Sequence, residues 1–166
     1  MSSRYLIQGM IILWVFLILA SGCARKIVRP NVVPSPGYAG PQVGGPVMEQ
    51  ELQVVQTNLK PIYFDYDRYT LSPEAQAALQ YDAEILRRAP HLSVVAEGHC
   101  DERGTAEYNL ALGDRRARSA VEFLASAGIA PNQLSTVSYG SELPVDPGHN
   151  EEAWSKNRRV YLRVSR

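Results

Sequence analysis

The feature that most constrains this chain is a regular alternation of strand-like and helix-like segments from residue 62 onward. The segment Ser72-Pro73-Glu74 is a typical helix start, because it combines a capping hydroxyl, a proline at the first helical position and an acid near the positive end of the helix dipole. The predicted order is a strand at 62–64, a helix from 73 to Pro90, a strand at 92–96, a helix at 105–128, a strand at 134–139, a helix at 151–156 capped by Asn150, and a strand at 160–164. This alternation predicts an α/β two-layer sandwich, a small mixed β-sheet with helices packed on one face.

The composition fits one such domain and argues against other classes of protein. The 166 residues leave little room for a second domain. Seventeen basic side chains balance seventeen acidic ones, so the basic excess of a nucleic-acid-binding protein is missing. Cys23 and Cys100 are too few for a disulfide framework, and their different settings argue against a bond between them.

The N-terminus has the pattern of a secretory signal over residues 1–22. Arg4 supplies the positive end, an apolar run follows at 11–20, and small residues precede Cys23. A cysteine in this setting resembles the bacterial lipobox, in which the thiol is acylated and becomes the new N-terminus. The chain departs from that pattern at Ala20, where leucine is usual.

An uncleaved membrane anchor is the alternative, although this run is shorter than the ~20 apolar residues that span a bilayer. In lipoprotein sorting an aspartate after the cysteine retains the protein at the inner membrane, so Ala24 implies export to the outer membrane. Prolines and glycines interrupt the next stretch, which predicts a lipid-anchored tether at 23–55 and a folded domain at 56–166. About 30 such residues reach roughly 100 Å when extended.

Two predicted loops carry the polar side chains that could bind a ligand. One is Gly98–Thr105 with the helix start after it, and the other is Tyr63–Asp67. Loops that lead from strands into helices are where α/β proteins place ligands. Asn109, Gly113 and Arg116 share one helical face, and a loop folded over that face would bring Asp101 close to Arg116.

The segment GHCDERGTAEYNLALGDRRA resembles the signature of OmpA-like peptidoglycan-binding domains, a G-H-x-D-x-x-G loop followed by an asparagine and an Arg-Ala pair. The blocks YFDYDRYTLSPEAQ and SYGSELPVDPGHNEEAWSKNRRV extend the likeness to roughly residues 60–164. The resemblance implies binding of meso-diaminopimelate in the peptidoglycan stem peptide. Its free end is a zwitterion, for which a carboxylate and a guanidinium are suitable partners.

The resemblance also implies the site residues and the partners. The ammonium is expected on Asp101 and the carboxylate on Arg116, with Asn109 orienting the loop or the ligand. The complete predicted set is Asp101, Arg116, Asn109, Tyr66, Asp67, Leu112, Gly104 and Thr105. Lipoproteins of this family meet the propeller protein TolB and the inner-membrane protein TolA, and the TolB surface is expected to overlap the peptidoglycan site.

Several alternatives stay open at this point. Asp101 and Arg116 could form a structural ion pair, Asn109 could only fix a loop, and Tyr66-Asp67 could be a simple turn. The block 157–160 is expected to be a structural lock rather than a ligand contact. A domain of the same family without TolB and TolA is a second possible function.

A peptidoglycan-cleaving enzyme is a third possibility, with an acid–base pair from Asp65, Asp67, Asp101 and Glu102 or with His99 as the base. Against it, the sequence has no activated nucleophile and no metal-ligand spacing. We therefore expect a binding protein without a cofactor or metal.

Overall fold

The computed structural model describes residues 46–166. Within them the chain forms four α-helices, four strands and one short 3-10 turn at Pro131–Gln133. The elements in chain order are α1 (Pro46–Asn58), β1 (Ile62–Tyr63), α2 (Pro73–Leu86), β2 (Ser93–His99), α3 (Ala106–Ser126), β3 (Leu134–Gly140), α4 (Glu151–Asn157) and β4 (Arg159–Ser165). Each strand and helix predicted from residue 62 onward is therefore present, with its ends shifted by a few residues.

The sheet is mixed and has the strand order β1-β4-β2-β3. Strand β2 lies in the middle, parallel to β3 and antiparallel to β4, while the short β1 pairs antiparallel with the start of β4. Alternate residues of β2 and β4, such as Val94, Ala96 and Leu162, are buried in one core with α1, α2 and α3. This confirms the predicted two-layer α/β sandwich with helices on one face.

The side-chain caps explain where the helices begin. Ser72 Oγ accepts a hydrogen bond from the backbone N–H of Ala75 at 3.2 Å, and Asn150 Oδ1 accepts one from Ala153 at 3.0 Å. Thr105 Oγ1 accepts one from Tyr108 at 3.2 Å and so starts α3 directly after the polar loop. The loop is thereby connected to a long, rigid helix.

Helix α1 corrects the predicted boundary between tether and domain. The tether was expected to reach residue 55, but the helix begins at Pro46, and Val55 and Leu59 are buried in the core. The amide of Gln56 donates to Leu162 O and accepts from Val164 N, both at 2.9 Å, which covers the edge of β4 that β1 leaves open. Burial of an apolar face therefore outweighs the Pro- and Gly-rich composition of the preceding residues.

The predictions for the N-terminus lie outside the described residues. They comprise the signal sequence at 1–22, the acylated Cys23, Ala24 and most of the tether. Of the helices in residues 46–166, none has the length and apolar character required to cross a membrane.

Strand β2 and helix α3 touch backbone to backbone at two glycines. A Cβ added to Gly98 would lie 1.9 Å from the carbonyl oxygen of Gly113, and one added to Gly113 would lie 2.3 Å from Ser138 Oγ. Only glycine fits this close approach. It places the end of β2, from which the polar loop departs, directly against α3.

Candidate functional site

A cavity of about 220 Å³ lies between the loop after β1, the loop after β2 and the first half of α3. Residues from all three segments border it: Tyr66, Asp67, Cys100, Asp101, Arg103, Gly104, Tyr108, Asn109, Leu112 and Arg116. The two polar loops predicted from the sequence thus meet at one cavity.

Arg116 lies beneath the cavity, and its side chain is buried from bulk solvent. Its guanidinium donates to Arg68 O at 2.8 Å, to His99 O at 2.9 Å and to Asp65 O at 3.1 Å, and Nη1 also contacts Cys100 Sγ at 3.4 Å. Burial lowers the pKa of Arg116 from its ordinary value, but a guanidinium stays charged at any physiological pH. The residue therefore ties both loops to α3 while it keeps its positive charge.

The structural ion pair that the sequence left open between Asp101 and Arg116 does not form. Within residues 46–166 the Asp101 carboxylate pairs instead with Arg103, at 2.7 Å, and with Arg158, at 3.2 Å. Burial raises the pKa of Asp101, but hydrogen bonds from Arg103 and Arg158 outweigh it and hold that pKa below its ordinary value. Asp101 is consequently ionised, and Arg116 has no carboxylate partner among the described residues.

Asn109 fixes the loop after β2 from within α3. Its amide nitrogen donates to Asp101 O and to Arg103 O, both at 3.2 Å, and its side chain is 2% exposed. Between those two carbonyls and the helix, Gly104 adopts a φ of 105°, a left-handed conformation that glycine accepts readily. Asn109 therefore fixes the loop, and it also borders the cavity.

Arg103 forms the outer wall of the cavity. Its Cζ lies 4.1 Å from the ring centroids of both Tyr66 and Trp154, so the guanidinium is held between two aromatic rings. The hydrogen bonds to Asp101 raise the pKa of Arg103 further. Three segments that are distant in sequence, the loops after β1 and β2 and helix α4, meet at this side chain.

Asp67 and Tyr108 also border the cavity. The Tyr108 hydroxyl donates to Asp67 Oδ1, and this bond raises the pKa of Tyr108. Asp67 has a φ of 53°, and it is the only residue other than glycine between 46 and 166 with a positive φ. Aspartate tolerates this conformation better than most residues. Tyr66-Asp67 is thus both a turn and a part of the cavity wall.

The structure brings together seven of the eight residues predicted for the site, and Thr105 is the exception. Thr105 caps α3 and does not border the cavity. Sequence reasoning missed Arg103, Tyr108 and Cys100. Arg103 and Cys100 are within the resembling loop and Tyr108 directly precedes Asn109, so their position in that segment is the signal that could have found them.

The block 157–160 lies behind the cavity. Arg158 is buried and donates to Phe64 O at 3.0 Å and to Glu151 Oε1 at 2.6 Å, in addition to its bond with Asp101. Asn157 accepts from Val145 N at 2.8 Å and so fixes the preceding loop. These contacts are those of the structural lock that the sequence indicated.

Comparison with known proteins identifies the class to which this fold and site belong. Residues 63–158 match the model of the OmpA family. A crystal structure of the peptidoglycan-associated lipoprotein from Burkholderia pseudomallei superposes with a TM-score of 0.62 and 42% identity, covering 64% of this chain and 90% of that one. The C-terminal domain of Helicobacter pylori MotB gives a TM-score of 0.61 at 27% identity over 64% of this chain and 84% of that one.

Similar curated proteins narrow the class further. The peptidoglycan-associated lipoprotein of Pseudomonas aeruginosa is 45% identical over 155 residues, covering 87% of this chain and 89% of its own length. That of Agrobacterium fabrum is 41% identical over 140 residues, covering 84% of this chain and 78% of its own. The chain therefore belongs to the OmpA family and, within it, to the peptidoglycan-associated lipoproteins.

Proposed function

We propose that this chain is an outer-membrane lipoprotein that binds peptidoglycan non-covalently, through the free end of diaminopimelate in the stem peptide. It thereby tethers the outer membrane to the cell wall as part of the Tol–Pal system, which maintains the envelope and constricts the outer membrane at division. The names of its relatives support the coarse function, and the cavity supports the choice of ligand.

The observation that carries this proposal is the charge of Arg116 beneath the cavity. A guanidinium has five N–H donors, and four of those of Arg116 are accounted for within residues 46–166. The remaining donor is on Nη2, and the charge has no carboxylate partner in this part of the chain. The carboxylate of a ligand in the cavity would supply that missing anion, and a buried charge gains most from such a partner.

The ammonium of the ligand is proposed to bind Asp101. This carboxylate is 4% exposed, ionised and borders the same cavity as Arg116. A site with an anion and a cation at separate places is complementary to a zwitterion, whereas a simple amine or acid would satisfy only one of them. Leu112 contributes an apolar wall against which the methylene groups of diaminopimelate can pack.

Co-sedimentation with purified sacculi of the diaminopimelate type tests this proposal. The full chain, extracted in a non-ionic detergent, is expected to pellet with the sacculi. Asp101→Asn removes the charge that binds the ammonium and Arg116→Lys removes the planar guanidinium that binds the carboxylate, so each should lower the pelleted fraction roughly tenfold. Asp114→Asn is the matched control, since Asp114 only pairs with Arg118 on the exposed face of α3. Unchanged pelleting of both site variants would refute the assignment of the site.

Binding without cleavage is the function that the acidic residues favour. A general acid needs a raised pKa, but the pKa of Asp101 is lowered. Burial, followed by the charge of Arg159, lowers the pKa of His99 to about 4, and its Nδ1 has no partner among the described residues. We therefore expect the chain to release no muropeptides from sacculi during prolonged incubation, and release by purified protein would contradict this.

The membrane anchor and the partners complete the proposal. We infer that Cys23 carries a thioether-linked diacylglycerol and an amide-linked acyl chain, that a tether connects it to the folded domain, and that Ala24 directs the protein to the outer membrane. Incorporation of labelled palmitate into the chain, and its loss in Cys23→Ala, would test the anchor. TolB and TolA are the proposed protein partners, and the diaminopimelate tripeptide should reduce capture by TolB if the two surfaces overlap.

A further inference from the structure

The side chain of Arg103 is hydrogen-bonded to the Asp101 carboxylate, which the ammonium of the proposed ligand has to bind. Its Nε donates to Asp101 Oδ1 at 3.2 Å and its Nη2 to Oδ2 at 2.7 Å, while its backbone N–H also donates to Oδ1 at 3.1 Å. Arg158 Nη1 donates to Oδ2 at 3.2 Å. A carboxylate accepts about four hydrogen bonds, so Asp101 has no acceptor site left.

An ammonium can bind Asp101 only if one of these donors leaves, and the two arginines differ in how firmly they are held. Arg158 is 7% exposed and also donates to Phe64 O inside the domain. The Arg103 side chain is 30% exposed and makes its contacts at the rim. Arg103 is therefore the donor that can be displaced.

The carboxylate of Glu151 also lies beside the Arg103 guanidinium. Glu151 Oε2 lies 3.5 Å from Arg103 Nη2, and the Glu151 side chain is 62% exposed. The rings of Tyr66 and Trp154 hold the guanidinium between them. A small rotation within this aromatic slot exchanges Asp101 for Glu151 without exposing the cation to a less favourable environment.

We propose that Arg103 is an exchangeable internal ligand of the ammonium site, an inference that rests on the proposed function. When diaminopimelate binds, its ammonium replaces the two side-chain hydrogen bonds of Arg103 on Asp101, and the guanidinium turns to Glu151 between the same rings. The exchange makes Arg103 a determinant of specificity. A ligand that brings no cation leaves Arg103 in place and gains nothing from Asp101.

Calorimetric titration of the full chain with the tripeptide L-Ala-γ-D-Glu-meso-diaminopimelate tests the exchange. Arg103→Met keeps an unbranched apolar stem beside the rings but removes the competing charge, and it should bind the tripeptide roughly twofold to fivefold more tightly, the range expected for a partly exposed ion pair. Arg103→Lys should lie between this variant and the wild type. Arg115→Met is the matched control, because Arg115 also stands over a tyrosine ring, that of Tyr69, but does not border the cavity.

The same titrations with a tripeptide that carries 2-aminopimelate, which lacks the distal ammonium, separate the exchange from a general opening of the cavity. We expect no gain from Arg103→Met with this ligand. Equal or weaker binding of diaminopimelate by Arg103→Met, or an equal gain with both ligands, overturns the exchange while the proposed function stands. A wild-type chain that binds neither tripeptide nor sacculi overturns the proposed function and the exchange with it.

Discussion

Asp101 and Arg158 form a buried ion pair, with 3.2 Å between Oδ2 and Nη1 and with side chains that are 4% and 7% exposed. The pair joins the loop after β2 to the start of β4, across 57 residues of sequence. Arg158 also donates to Phe64 O, from the segment that leads into the loop after β1. One side chain thus sets the relative positions of both loops that border the cavity.

We expect Arg158→Met to destabilise the domain by about 2 kcal/mol or more, since it removes a buried hydrogen bond to the charged Asp101 and leaves Phe64 O without its donor, although Arg103 still pairs with Asp101. Arg163→Met is the control. Arg163 pairs with Glu97 at 2.6 Å, but its side chain is 54% exposed, so the loss should stay below about 1 kcal/mol. Urea denaturation of both variants measures the difference, and equal losses would show that the Arg158 pair contributes no more than a surface pair.

Because Gly98 and Gly113 are in contact, even an alanine at position 98 should lower the stability of the domain strongly. Gly98→Ala places a Cβ 1.9 Å from a backbone oxygen that cannot move away alone, so we expect a loss of more than about 2 kcal/mol. Gly128→Asn is the comparison, because its φ of 94° is positive but a Cβ there meets nothing within 4 Å. Thermal unfolding should separate them clearly. A Gly98→Ala variant as stable as Gly128→Asn would contradict the close approach.

The edge of β4 depends on a single side chain of α1. Gln56→Ala removes the hydrogen bonds to Leu162 O and Val164 N, and we expect a loss of about 1–2 kcal/mol. Gln53→Ala on the exposed side of the same helix should change stability by less than about 0.5 kcal/mol. Amide hydrogen exchange at Val164 offers a direct second measurement, and unchanged protection there in Gln56→Ala would contradict the role of this side chain.

Asp82 and His99 predict opposite dependences of stability on pH. Burial raises the pKa of Asp82 from 3.8 to about 6, so the folded state binds more protons than the unfolded state between these values and loses stability as the pH rises through them. Burial and, next, the charge of Arg159 lower the pKa of His99 from 6.5 to about 4, so the folded state loses stability as the pH falls through that window. The two contributions largely cancel in the wild type.

Single substitutions should therefore stabilise the domain at opposite ends of the range. Asp82→Asn keeps the acceptor for Lys60 N and should gain about 1–2 kcal/mol at pH 7 and about a third of that gain at pH 4.5. His99→Phe keeps the stacking on Tyr139 and should gain about 2 kcal/mol at pH 4.5 but little at pH 7. Denaturation of both variants at the two pH values provides the test, and gains that do not change with pH would contradict it.

The parts of this fold that local sequence determines were the parts that could be predicted. Ser72 and Asn150 start helices through bonds to residues three positions away, and the apolar spacing of α2 and α3 reports their buried faces directly. Helix α1 was missed although Leu52, Val55 and Leu59 follow a helical spacing, because the preceding prolines and glycines dominated the composition of the window. Short local patterns and bulk composition can thus point in opposite directions.

The candidate site, too, could be predicted only in part from the sequence. The motif placed Asp101, Asn109 and Arg116 at one cavity, but it could not show that Asp101 binds Arg103 and Arg158 instead of Arg116. Arg103 is held by the rings of Tyr66 and Trp154, which lie 37 and 51 positions away from it in the sequence. Contacts between distant segments produce no recognisable residue pattern in the sequence, so only the folded structure reveals them.

The cavity is proposed to recognise both charges at the zwitterionic end of diaminopimelate. The most direct measurement is co-sedimentation of the wild-type chain with two kinds of sacculi, one with meso-diaminopimelate and one with lysine at the third position of the stem peptide. Lysine has the ammonium but lacks the second carboxylate that Arg116 is expected to bind. We predict pelleting with the diaminopimelate type, and displacement from it by the free tripeptide, but little with the lysine type. Equal pelleting with both types would show that the cavity does not bind the second carboxylate of diaminopimelate.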